Sequence, residues 1–481
     1  MKKDLTQGSV TKTLLLFAGP MILGNLLQQC YNIADTLIVG HFLGAEALAA
    51  VGSAYTLMTF LTSILIGLCM GSGTVFSLYF GKKETERMKR SMHVAFLFIG
   101  AVTVGMNLLV ILLQRPILRL LQVPDELFDM MNEYVGMIFL GIFFVFLYNY
   151  FSFLLRALGN SVTPLWLLGV AAGMNIVLDI LFVAVWNRGI RGAAEATVIA
   201  QIFSGVGIGV YTWLKEPGLR PDVSWRLRSR DTGKNAGQPG MLGQSGMLGQ
   251  PGMLGQSGML AEILRFSLAS CIQQSIMNFG ILMIQGLVNS FGTQVMAAFA
   301  AAVKIDSFAY MPAQEFGNAF SIFTSQNHGA GNKERVQKGI RSAVTVSMSF
   351  CLLVSAIVWM AAPLLMQIFI DPSEAAIIRI GTEYLRVEGA FYGGIGLLFL
   401  WYAYFRGVGK PEMSIVLTVI SLGTRVLLAY VLSPIPAIGV RGIWWAIPIG
   451  WFLADAAGAG KFLRDLRQQR KRANEDSSTN V

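Results

Sequence analysis

With 481 residues, 54% of them hydrophobic and 13% charged, and a mean hydropathy of +0.58, the chain is far too apolar for a soluble protein of its size. The net charge of +10 is spread through short gaps between apolar stretches. That distribution argues for contact with anionic lipid and against nucleic-acid binding, and the chain reads as an integral membrane protein.

Twelve stretches are long enough to cross a hydrocarbon layer of about 30 Å as helices. In chain order they are 13–40, 46–79, 91–114, 127–155, 161–186, 190–214, 261–290, 294–326, 340–368, 375–405, 411–434 and 440–463. The first follows MKKD and lacks a short apolar region ending in a small-residue cleavage site, so it reads as a retained helix. Even-numbered gaps carry GKKETERMKR, RALGN, a long linker, GNKERVQKGIR and RGVGK, and the last span is followed by KFLRDLRQQRKR. By the positive-inside bias that side is cytoplasmic, with both termini on it.

The second half repeats the first at a shift near 250 residues. GKKE at 81 matches GNKE at 331, NEYV at 131 matches TEYL at 381, RALGN at 156 matches RGVGK at 406, and GIRGAAEA at 189 matches GVRGIWWA at 439. With one compensated slip, LGAEALAAVGSA at 43 matches FGTQVMAAFAAA at 291. An even number of helices per repeat makes both halves enter from one side. The expected fold is therefore all-α, with twelve transmembrane helices in two six-helix lobes related by a pseudo-two-fold axis along the membrane normal. The lobes are 1–214 and 261–463, joined by a linker at 215–260 and followed by a basic then polar tail at 464–481. Parallel repeats around a midplane site are a transporter architecture, although duplication also serves simply to enlarge a scaffold. Residues 237–260 are a Gly/Pro/Met/Leu hexapeptide repeated four times, which reads as a flexible expansion of the linker.

The four cysteines fall singly within spans and form no metal-ligand spacing with His41, His93 or His328. No P-loop is present, and GSG at 71–73 reads as a helix-packing contact. Intramembrane polar residues are more informative. Gln28, Asn32 and Asp35 share one face of helix 1; Asn175 and Asp179 share a face of helix 5; Thr197 and Gln201 share one of helix 6. Their repeat mates at a shift of 250 are Arg425, Ala429, Ile447 and Trp451 for the last four, and Ile284 or Gln285 for Asp35. The carboxylate pair thus belongs to the first half alone, as an asymmetric site would require. Two aspartates in a low-dielectric interior cannot both ionise cheaply, so the pair holds a proton or recruits a cation. Asn175 and Thr197 add neutral oxygens of the hard type that Na⁺ accepts.

Glu133 and Glu383 are repeat mates near a span end and read as architectural. Lys304, Asp306, Glu388, Arg425 and Asp455 either form internal ion pairs, the favoured reading, or line a cavity. Glu195 reads as wet at the outer end of helix 6. Pro20 removes a backbone hydrogen bond in helix 1 and permits a bend, static or moving. Tyr55 and Met58 on helix 2, Gln28 on helix 1 and Asn149 on helix 4 are candidate substrate contacts.

From FAGPMILGNLLQQCYNIADTLIVGHFLGAEALAAVG at 17, through RALGNSVTPL at 156, to GVRGIWWAIPIG at 439, the chain resembles the multidrug and toxic compound extrusion (MATE) family, and within it the DinF-like branch. The set Asp35, Asn175, Asp179 and Thr197 matches that branch's N-terminal polar network in type and spacing, with Gln28 and Pro20 in register on helix 1. The resemblance implies a V-shaped pair of lobes that alternate between outward-open and inward-open states. It also implies exchange of amphipathic, often cationic, drugs for inward H⁺ or Na⁺, with no cofactor beyond the coupling ion. A monomer in a bacterial-type cell membrane is expected. The hexapeptide linker is a departure from the family.

A lipid-linked or metabolite flippase of related fold is the competing expectation, and it would favour several cationic residues in the cleft. An enzyme using the aspartates as acid and base is a third, and no nucleophile, metal site or cofactor motif accompanies the pair.

Overall fold

A computed structural model of the chain describes residues 4–120, 123, 125–219 and 256–479, and every described helix follows the apolar pattern of the sequence. The first two, α1 (Val10–Gly44) and α2 (Glu46–Gly81), are separated by Gly44 at φ +85°, a conformation that costs glycine nothing. Then come α3 (Thr85–Leu120), α4 (Asp125–Leu140), α5 (Ile142–Ala157), α6 (Val162–Asp179) and α7 (Gly189–Lys215). The second half contains α8 (Gln256–Asn289), α9 (Thr293–Gly329), α10 (Lys333–Gln367), α11 (Ala375–Gly389), α12 (Tyr392–Gly407), α13 (Glu412–Leu432) and α14 (Arg441–Thr479).

Among the described residues nine helices are long and apolar enough to span a bilayer unaided, and α4 with α5, bent by 44° at their junction, make a tenth. Of the twelve spans, the remaining two are α11 with α12 and the first part of α14. Arg379, Glu383, Arg386 and Glu388 in the former, and Asp455 and Lys461 in the latter, dilute the hydropathy. The hexapeptide linker lies outside the described residues up to 255, and α8 begins inside its last unit.

The duplication is visible in the backbone. Gly159 and Gly409 turn at φ +82° and +84°, and Gly189 and Gly439 at +62° and +55°, each pair 250 residues apart. Glu133 on α4 meets Arg191 on α7 at 3.9 Å, and their mates Glu383 and Arg441 form the same pair between α11 and α14, as expected of architectural residues. Earlier in each repeat the shift is smaller. Gly44 matches Gly292 (φ +94°), and α3 and α10 begin at Thr85 and Lys333, all 248 apart. The GKKE/GNKE match at 250 is therefore two residues out of register. Met283, rather than Ile284 or Gln285, stands opposite Asp35.

Two cores form, one per lobe, and the first helix of each repeat belongs to both. Leu14, Phe17, Ala18 and Met21 of α1 are buried in the core of the second lobe, whereas Val39 is buried in that of the first. In α8 the exchange is reversed: Ile263 and Phe266 pack into the first lobe, Ile284 and Val288 into the second.

The lobes close tightly on the side carrying the α2–α3 and α9–α10 turns. A Cβ on Gly71 would stand 2.3 Å from Phe266 O, one on Gly67 2.5 Å from Cys271 Cα, and one on Gly81 2.0 Å from Gln326 O. The Gln326 amide also donates to Ala157 O at 2.7 Å. Glycine permits these approaches, and GSG at 71–73 is the packing contact the sequence indicates. On the opposite side Gly44, Gly52, Gly286 and Gly292 have no neighbour within 4 Å of such a Cβ.

Candidate functional site: a carboxylate pair beside a central cavity

In the first lobe α1, α6 and α7 bring Asp35, Asn175, Asp179 and Thr197 together. Asn175 and Asp179 are fully buried one turn apart on α6, and Thr197 faces them from α7. With the Asn175 amide turned so that both its ends are satisfied, Nδ2 donates to Asp179 Oδ2 at 2.9 Å and Oδ1 accepts from the Thr197 backbone N–H at 3.2 Å. The carboxyl groups of Asp35 and Asp179 lie against each other across α1 and α6. One oxygen of each is buried without a hydrogen-bond partner. Neither carboxylate has a basic partner among the described residues, so a proton or an external cation is what can hold two such charges together.

In that orientation Asn175 presents its N–H to Asp179, and its oxygen is engaged by Thr197.

Two tyrosines not singled out in the sequence complete the site. Tyr31, one turn before Asp35, adjoins the Thr197 side chain, and Tyr134 of α4 stands near both carboxylates. The i, i+4 spacing of Tyr31 and Asp35 was available as a signal; for Tyr134 only its repeat mate Tyr384 was. Beyond Asp179 the helix widens to a π turn at Ile180–Val185, a local loosening of the ladder common beside functional side chains.

The other candidates divide. Gln28 and Asn149 line a central cavity between the lobes, together with Asn25, Arg156, Glu315 and Arg406. Tyr55 is half exposed on α2, with its hydroxyl 3.5 Å from Asn32 Nδ2, and Met58 packs against the first-lobe core; neither lines that cavity. Pro20 lies in α1 where the helix keeps helical φ/ψ.

Two expectations are corrected. Asp306, Glu388 and Arg425 form no ion pair among the described residues but line a small cavity in the second lobe. There Asp306 accepts hydrogen bonds from the hydroxyls of Tyr384, at 3.0 Å, and Tyr392. Lys304 lies over the Phe369 ring, and both carboxylate oxygens of Asp455 are buried without a partner. Glu195 is not wet: its side chain is 16% exposed and pairs with Arg188, just before α7, and with Arg191, one turn earlier on the same helix.

Two helical lobes with an intramembrane carboxylate pair and a polar cavity between them define a membrane transporter rather than an enzyme. The MatE family model matches residues 20–181 and 267–431, and the chain belongs to the MATE family of transporters. It is 30% identical over 87% of both chains to the probable multidrug resistance protein YpnP of Bacillus subtilis. Identity to the probable multidrug resistance protein NorM of Thermotoga maritima is 25%, covering 90% of this chain and 88% of that one. The fold matches the crystal structure of a MATE protein in complex with MaL6 at a TM-score of 0.85, with 23% identity and 97% and 98% of the two chains covered.

Proposed function

We propose that the protein is a multidrug exporter of the DinF-like branch, working as a monomer in a bacterial-type cell membrane with both termini cytoplasmic. It exchanges amphipathic or cationic drugs for inward H⁺ or Na⁺. The observation that carries this reading is the pairing of half-buried Asp35 with fully buried Asp179, which has no basic partner among the described residues and no counterpart in the duplicated lobe. Relatives named as multidrug resistance proteins support the drug substrates. Occupation of the pair by a cation entering from outside neutralises the first lobe, alters the packing of α1, and drives the cleft toward release of drug.

The test is accumulation of a fluorescent cationic dye in bacteria lacking their own pumps, under imposed pH and Na⁺ gradients. Wild type should extrude dye along one gradient, and Asp35→Asn and Asp179→Asn at matched expression should not. Extrusion that survives both substitutions would reduce the pair to a structural role, and a well-expressed wild type that extrudes nothing would bring lipid or metabolite export to the front.

A further inference from the structure

The duplicated motifs RALGN and RGVGK end α5 and α12 with equivalent arginines, Arg156 and Arg406, and both reach the central cavity. Their surroundings differ. Arg406 is 3% exposed and tied to the second lobe: Nε donates to Ser321 Oγ at 3.1 Å and Nη2 to Asn318 Oδ1 at 3.2 Å. Asn318 in turn donates to Glu315 Oε1 at 3.1 Å, and Asn25 of α1 donates to the same oxygen at 3.2 Å. That chain of bonds ties one guanidinium and the Glu315 carboxylate into the second lobe.

Arg156 has nothing comparable. Its Nε is buried without a hydrogen-bond partner, no carboxylate pairs with it among the described residues, and its one directed contact is the Phe153 ring, 5.4 Å from Cζ. A guanidinium has a fixed fork of donors and cannot shed its charge, so the remedies applied to a buried lysine are not open to it. Arg156 is half-buried, with its Nε shut off from water, and that donor stays uncompensated unless something in the cavity completes it. The amides around it, Gln28 and Asn149 among them, supply further donors and no negative charge. Among the described residues Glu315 is the one carboxylate lining the cavity, and it accepts hydrogen bonds from Asn25 and Asn318.

From this asymmetry we infer that Arg156 is a substrate-binding residue that receives an anionic group, so that the cavity selects amphipaths carrying a carboxylate, phosphate or sulfonate, as zwitterions or as anions. Cationic portions of a zwitterion fall to the Glu315 side. The Phe153 ring holds the guanidinium plane and leaves its edge free for a two-oxygen acceptor. The inference rests on the drug-export reading and narrows it: a pump serving only hydrophobic cations gains nothing from an uncompensated guanidinium where its substrates bind.

The matched probes are rhodamine 110, which bears a free carboxylate, and rhodamine 123, its methyl ester. Binding is read by fluorescence polarisation on full-length protein in phosphatidylcholine nanodiscs. Wild type should bind both dyes. Arg156→Gln should weaken the acid by about tenfold, the worth of a charge-assisted hydrogen bond, and leave the ester within about twofold. Arg156→Lys, which keeps the charge without the fork, should fall between. Unchanged binding of the ester certifies that each variant is folded, and Arg406→Lys, which alters the engaged arginine, should not discriminate between the dyes. Phosphatidylglycerol in the nanodiscs separates the two sources of anion: competition with the acid in wild type, absent in Arg156→Gln, identifies a lipid headgroup as a natural occupant, and lack of competition assigns the site to soluble substrates. Equal losses for acid and ester would overturn the proposal, as would wild type that binds ester alone, and in that last case the drug-export reading stands. Wild type that neither binds nor extrudes either dye refutes both.

Discussion

Replacing Gly71 by alanine tests whether the close approach of α2 to α8 is a moving interface. The added Cβ would lie 2.3 Å from Phe266 O and 2.5 Å from Ser267 Cα, both backbone atoms that no change of rotamer can withdraw. Restoring an ordinary contact near 3.4 Å requires about 1.1 Å of separation (3.4 − 2.3) between two helices that belong to different repeats. Overpacking of this kind costs about 1–3 kcal/mol. If the interface opens during the cycle, the cost falls on the state closed on this side, and the populations move by roughly 5- to 150-fold toward the open one. Arg90 and Lys338, exposed mates 248 residues apart at the starts of α3 and α10, suit paired spin labels. Electron–electron double resonance should show a longer-distance component growing in Gly71→Ala. A lowered melting temperature with an unchanged distance distribution would refute the reasoning, because the contact would then belong to the fold and not to a gate.

Three further outcomes are expected. Arg335 donates to the carbonyls of Leu5, at 3.2 Å, and of Gln7 and Gly8, both at 2.6 Å, while Asn327 also donates to Leu5 O. Arg335→Ala should raise hydrogen exchange across residues 5–13 and cost about 1–2 kcal/mol, reduced from the buried value by partial exposure; protection equal to wild type would show that this latch contributes little. Arg406→Gln removes the bonds to Ser321 and Asn318 and should lower stability by about 2 kcal/mol in a thermal-shift assay, whereas Arg156→Gln should leave the melting temperature close to wild type. Tyr392→Phe strips one donor from buried Asp306 and should destabilise by about 1–3 kcal/mol, again read by thermal shift.

Most of the helical plan was legible because hydropathy and repetition are one-dimensional signals. Apolar runs and the recurrence of RALGN/RGVGK gave the spans, and the i, i+4 spacing on α6 gave Asn175 and Asp179 a common face. What sequence could not supply was contact between helices. Asn175 has the right oxygen for a cation, but only the fold reveals that Thr197 N–H engages it. Tyr134 reaches the carboxylates from α4 at a distance in sequence that no periodicity connects. The register of the repeat misled by two residues at GKKE because short Gly/Lys motifs recur readily, whereas the positive φ of Gly44 and Gly292 fixes the true alignment. Ion pairs assumed among Asp306, Glu388 and Arg425 gave way to tyrosine hydroxyls, which hold a buried carboxylate without the cost of a second desolvated charge.

The course of α1 explains how a site in one lobe can act on both. Its first turns, up to Met21, are buried in the second lobe's core; from Gly24, where a Cβ would stand 3.6 Å from Leu165 of α6, the helix runs along the first lobe to Asp35. Pro20 stands at that crossing, and a proline there leaves the carbonyl one turn earlier without its intrahelical donor, so the helix bends more easily at this point than on either side. The near part of α1 is fixed in the opposite lobe by Leu14, Phe17 and Ala18, while the far part carries Asp35 against α6 and α7. The two lobes are therefore joined through α1, with Pro20 beside the crossing. Asn25, four residues past Met21, donates to Glu315 across the cavity. The carboxylate pair, the helix that spans both cores and the cavity thereby form a continuous physical connection of the kind that coupling requires.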